Sequence, residues 1–148
     1  MKWATPAAGG KVLQVVYGST TTLTSSSSST YADTTLTATI TPTLATSKVL
    51  VLVSQNGILR TAANAAAGCA LKLFRGATEI AKFLGEGGYT NSTLVQNIGS
   101  ASIMLLDEPA TTSATTYKTQ LANDGNAGSV SVQFSSSRST IVLLEIGA

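Results

Sequence analysis

The chain is 148 residues long and carries a net charge of +2 from nine basic and seven acidic residues, with one cysteine and no histidine. That length suits one domain with a self-sufficient core. Its sparse, unclustered charge excludes a nucleic-acid footprint, and the lone Cys69 excludes an internal disulfide and falls short of a zinc site.

What replaces charge is hydroxyl: the sequence holds 18 Ser and 23 Thr, with only 11% charged and 5% aromatic residues. Threonine is β-branched and suits strands, whereas Ser and Gly suit turns. Residues 1–10, MKWATPAAGG, read as an arm preceding a single β-domain over 11–148, with Trp3 as its one large group and Pro6 beside it. Trp3 either folds back on its own domain or docks on a neighbouring subunit, since an indole buries a large area. The arm lacks the apolar stretch of a signal peptide, so export by the standard route is not expected. The apolar runs are far shorter than the ~20 residues of a membrane-spanning helix.

KVLQVVYG (11–18) reads as a strand, and STTTLTSSSSST (19–30) as a strand edge followed by a flexible loop. YADTTLTATITP (31–42) alternates, with Leu36, Ala38 and Ile40 on one face, Thr35, Thr37 and Thr39 on the other, and Pro42 at its end. SKVLVLVSQNG (47–57) is apolar on both faces from Val49 to Val53, as in a central strand or one covered by another subunit. ILRTAANAAAG (58–68) reads as a loop. GCALKLFRGATEIAKF (68–83) is a hairpin turning at Arg75-Gly76-Ala77-Thr78, with Cys69 as a small buried hydrophobe. GEGGYTNST (85–93) is a glycine-rich loop without the Lys-Ser/Thr of a phosphate cradle. Strands follow over 97–109, 115–124, 129–134 and 139–148, with a turn at NDGNAG (123–128). Eight or nine short strands without crossover helices predict an antiparallel β-sandwich, with a jelly roll as the leading topology.

Chemistry finds little support. Without histidine the commonest general base is missing. Asp107 and Glu108 are adjacent, and neighbours on a strand point to opposite faces, so they read as a solvated turn before Pro109 rather than a catalytic pair. The acidic residues are too few and scattered for calcium. No catalytic residue, cofactor or metal is expected, and the chain is not read as an enzyme.

Five phrases carry a resemblance: GKVLQVV (10–16), ITPTLATSKVLVLVS (40–54), LKLFRGATEI (71–80), LLDEPATTSATTYKTQ (105–120) and STIVLLEIGA (139–148). With them the chain resembles a family of small virion structural proteins of tailed bacteriophages, abundant among viruses of cyanobacteria and marine bacteria. The resemblance covers Lys11 to Ala148 and leaves the arm unexplained. It implies β-sandwich trimers labelled as head-decoration or tail-fibre proteins, made in a host cytoplasm and localised to the virion. No residue-level site comes with it.

Two assembly roles follow as expectations. A capsid decoration, or cement, protein would bind the major capsid protein from outside and stabilise the head, with the arm reaching across a subunit boundary. A tail-fibre module would instead use the loops at 19–30, 58–68 and 85–93, with Tyr31 and Tyr89 in or beside them, against a host-surface receptor. The doubly apolar strands predict self-association as a homotrimer, and the expected interface residues are Trp3, Pro6, Val49, Val51, Val53, Ile141 and Leu143.

Overall fold

The computed structural model describes residues 10–60, 67–89, 95–125 and 128–147. Eight long strands form in chain order, β1 (Val12–Thr20), β3 (Ala32–Ile40), β4 (Lys48–Arg60), β5 (Cys69–Arg75), β6 (Thr78–Gly87), β7 (Gln96–Asp107), β8 (Thr115–Asn123) and β10 (Ser139–Ile146). Two three-residue strands, β2 (Thr24–Ser26) and β9 (Val130–Val132), complete the set.

Every ladder is antiparallel. One sheet runs β1–β10–β4–β7, and its second half is widened by β9 and β2 where β4 outruns β10. The other sheet runs β3–β8–β5–β6. Numbering the long strands alone, the sheets read 1-8-3-6 and 2-7-4-5, which is the order of a jelly roll. The fold is therefore the expected all-β sandwich with jelly-roll connectivity, with ten strands among the described residues where eight or nine were expected.

Period-two patterning builds the core. Leu36, Ala38 and Ile40 of β3 turn inward, as their alternation with threonine predicts, and meet Val49, Val51 and Val53 of β4 and Ile141 and Leu143 of β10. A second cluster, Ile58, Cys69, Leu71, Leu121, Val130 and Val132, fills the other end. Between the two lies a buried polar chain. Thr34 and Thr119 share a hydroxyl hydrogen bond of 2.6 Å, Thr119 donates to Gln55 Oε1 at 2.8 Å, and Gln133 Nε2 donates to Ser139 Oγ at 2.9 Å. Such groups are tolerated inside only when bonded.

Two turns explain local departures from ideal strands. In the β5–β6 hairpin only Gly76 of the central pair has positive φ, at 58°, as a type II′ turn requires. In β4 the register against β7 slips at Gly57, whose φ is 62°. This bulge carries β4 from its pairing with β10 to its pairing with β9, and a tight 3-10 turn at Phe134–Ser136 fills the corner. A Cβ on Gly57 would lie 2.6 Å from the Phe134 nitrogen and 2.8 Å from its oxygen. Gly57→Ala is accordingly expected to cost about 2–4 kcal/mol, combining left-handed strain with overpacking against backbone, measurable as a lowered urea midpoint.

Several expectations change. Ile58, Leu59 and Arg60 were expected in a loop, yet they continue β4, because the bulge restores inward facing to apolar side chains after the polar Asn56. The stretch 19–30 opens as the expected strand edge, with β1 running to Thr20, but within the expected loop Thr24–Ser26 pair with β9. Glycine-rich 85–87 belongs to β6, and the strand expected over 129–134 ends at Val132, where the tight turn begins.

Candidate interaction surface

Five of the expected interface residues face inward. Val49, Val51, Val53, Ile141 and Leu143 are all buried inside the sandwich, facing the other sheet. Because side chains alternate, their immediate neighbours point away from the core. Trp3 and Pro6 lie outside the described residues.

The neighbours form a continuous apolar face. Register aligns Tyr17 of β1, Val142 of β10, Leu52 of β4 and Met104 of β7 in one cross-strand row. The next row is Val15, Leu144, Leu50 and Leu106. Beyond it, Val12 and Leu13 straddle a bulge opposite Ile146. The two central strands half-cover each other's side chains, while the flanking strands leave Tyr17 59%, Val15 60%, Leu106 50% and Met104 71% exposed. A depression of about 270 Å³ opens among Leu52, Ser54, Ser102, Met104, Thr140 and Val142. One end of the face is closed by hydroxyls, Ser19, Thr140, Ser54 and Ser102, and the other by the Lys48–Glu108 ion pair at 2.6 Å.

The outer face of the second sheet has the opposite character. Asp33, Gln120, Lys72 and Lys82 make one of its rows. Its charges pair locally, Lys118 with Asp33, Lys72 with Glu79, and Lys82 with Asp124, at 2.6–2.7 Å. The Lys118 ammonium holds Asp33 below the usual carboxylate range, and Asp124 raises Lys82. Tyr31 is half-buried with the Lys72 ammonium 4.2 Å from its ring centre, whereas Tyr89 is exposed. The molecule thus has one greasy and one charged broad surface.

The ionisable groups in and around the core are structural in geometry. Arg75 clamps Asp107 through both carboxylate oxygens at 2.9 and 2.7 Å, and the Tyr117 hydroxyl donates to the same carboxylate at 2.6 Å. Burial, then the bond to Asp107, pushes the Tyr117 phenol up. Asp107 is therefore a sheet-to-sheet tie rather than part of a solvated turn, while exposed Glu108 turns away toward Lys48, so the pair does not converge. Burial pushes the Cys69 thiol up to about 12, which leaves it protonated at neutral pH. Among the described residues, no group of three or more His, Cys, Asp and Glu side chains could hold a metal ion, and no described helix is long and apolar enough to cross a membrane.

Sequence reasoning missed the outward set because a doubly apolar strand does not say which of its faces the chain itself covers. The missing signal was Gln55. Continuing the odd-numbered face of β4 from Val53 reaches this buried polar residue, and the partner needed to satisfy it lies across the sandwich. No protein-family model matches this chain, and no curated protein matches it.

Proposed function

We propose that this chain is a virion structural subunit of a tailed bacteriophage: a homotrimeric capsid decoration protein that binds the major capsid protein on the outer shell and stabilises the head. The observation that carries the reading is the apolar outer face of β1–β10–β4–β7, set against a charged opposite face. Exposed apolar surfaces of this extent mark protein contacts. A packed jelly roll in which buried Thr34, Thr119, Gln55 and Ser139 are hydrogen-bonded to one another offers shape rather than reactivity, and the family resemblance over Lys11–Ala148 supplies the virion context. Trp3 and Pro6 of the arm are proposed to reach the capsid lattice, and residue 10 enters the fold beside Gly147, at the Lys48–Glu108 end of the greasy face.

A second reading, a tail-fibre module contacting a host-surface receptor, is favoured by exposed Tyr89, since aromatic rings at loop positions suit ligand contact. The two separate by incubating the purified chain with capsids lacking decoration and with host cells. Decoration expects saturable density on the shell by electron cryo-microscopy, lost when residues 1–10 are removed with the fold intact. Binding to cells without binding to shells would replace decoration by the tail reading.

A further inference from the structure

We infer that the outer face of β1–β10–β4–β7 is the surface by which copies of this chain meet, with a second copy as its occupant. This deepens the structural-subunit reading and rests on it. Three observations select a sister copy over a different partner.

The first is charge. A face without ionisable groups offers nothing for a charged partner to read, and a sister copy brings a surface equally free of charge. The rows Tyr17–Val142–Leu52–Met104 and Val15–Leu144–Leu50–Leu106 hold no ionisable group except the Tyr17 phenol. The opposite face carries Lys72–Glu79, Lys82–Asp124 and Lys118–Asp33 as ion pairs, which burial against a copy would have to desolvate.

The second is area. Four strands at ~4.8 Å spacing and about eight residues at ~3.4 Å each give a plan of ~500 Å² before side-chain relief is added. Relief and the polar rims bring this toward the ~800 Å² that each partner contributes to a standard stable interface.

The third is relief itself. The depression among Leu52, Ser54, Ser102, Thr140 and Val142 has Met104, the most exposed large side chain of the face, in its own wall. A projecting side chain at the rim of a hollow lets one copy seat against the next, and methionine adapts its shape to such gaps. The hydroxyl row at one end and the Lys48–Glu108 pair at the other form polar margins, as contact surfaces have.

The test uses the full chain at about 10 μM, with mass read by light scattering and fold by circular dichroism. The wild type is expected at three times the single-chain mass, the homotrimer proposed above. Leu52→Glu, at the centre of the face, is expected to lower apparent self-affinity at least a hundredfold and give a folded single chain. Met104→Arg, on a side chain too exposed to matter for folding, is expected to weaken assembly at least tenfold. Thr37→Glu, on the opposite face, is expected to assemble as wild type. A wild type at single-chain mass overturns the inference. So does a folded Met104→Arg chain assembling with wild-type affinity, or a Thr37→Glu chain that dissociates as Met104→Arg does. A chain that assembles through this face and yet leaves capsids bare supports the self-contact and overturns the decoration role.

Discussion

Leu143→Ala is expected to lower the unfolding free energy by about 3 kcal/mol, while Leu144→Ala, one residue along, costs the isolated chain under about 1 kcal/mol. The two leucines share a strand, a composition and nearly a backbone environment. They differ in which side of the sheet they face. Leu143 is fully buried, paired with Val51 and Val16 in the ladder and packed in the cluster that includes Leu73 and Tyr117. Truncating it opens a cavity between two sheets that each hold their shape through their own hydrogen bonds, so little collapse compensates. Leu144 lies half-buried in the outward row between Leu50 and Val15. Its truncation removes lateral contact and leaves no void. Against a total stability of roughly 5–15 kcal/mol, the first loss is a large share and the second is close to measurement error. Urea titrations of both variants at a concentration low enough to keep the chain dissociated test the assignment. Equal losses would mean that β10 is covered on both sides within one chain, and the greasy face would lose its standing as a contact surface.

The same alternation explains what was legible beforehand. Where one face of a strand is apolar and the other hydroxylated, as in β3, the sequence states the orientation outright, and Leu36, Ala38 and Ile40 are buried as expected. Where both faces are apolar, as in β4 and β10, periodicity loses its phase. The strand is still recognisable, but the inward set can be found only from what the rest of the chain pairs with it. The jelly-roll order was within reach because eight strand-length runs without helices leave few sandwich topologies. The bulge at Gly57 was not, since a glycine between Asn56 and Ile58 reads equally well as the end of a strand. Its role depends on Phe134, 77 positions later, passing within van der Waals range. Asp107 was misread for a related reason. Beside Glu108 and Pro109 it looks like a turn residue, and the guanidinium that claims it stands on another strand.

Glu145 is the second place where a large effect is expected, and it was hidden inside the apolar run STIVLLEI. It follows Ile141 and Leu143 on the inward face of β10 and is fully buried. Its carboxylate accepts hydrogen bonds from Gln14 Nε2 at 2.6 Å, the Thr43 backbone N–H at 2.7 Å and the Thr43 hydroxyl at 2.8 Å. Gln14 donates onward to the Thr41 carbonyl at 2.7 Å. One acid thus fastens β1 and β10 to the connection by which the chain passes from β3 in one sheet to β4 in the other. Desolvation would raise its pKa, but the hydrogen bonds from Gln14 and Thr43 prevail and hold it at about 2, well below the ordinary 4.5. A folded-state pKa below the unfolded one means that the charged form stabilises the fold. That contribution is complete above about pH 4.5 and fades as pH falls from there through about 2. Glu145→Gln keeps the size but turns an amide donor toward groups that are themselves donors, at an expected cost of about 1–3 kcal/mol at pH 7. The wild type should lose stability between pH 4.5 and 2 more steeply than the variant, so that the two converge in acid. Urea midpoints for both chains at pH 7, 4.5 and 2.5 measure this directly. Parallel loss in the two, with the gap at pH 7 undiminished at pH 2.5, would mean that the acid response belongs to other carboxylates and that Glu145 holds the crossing by shape alone.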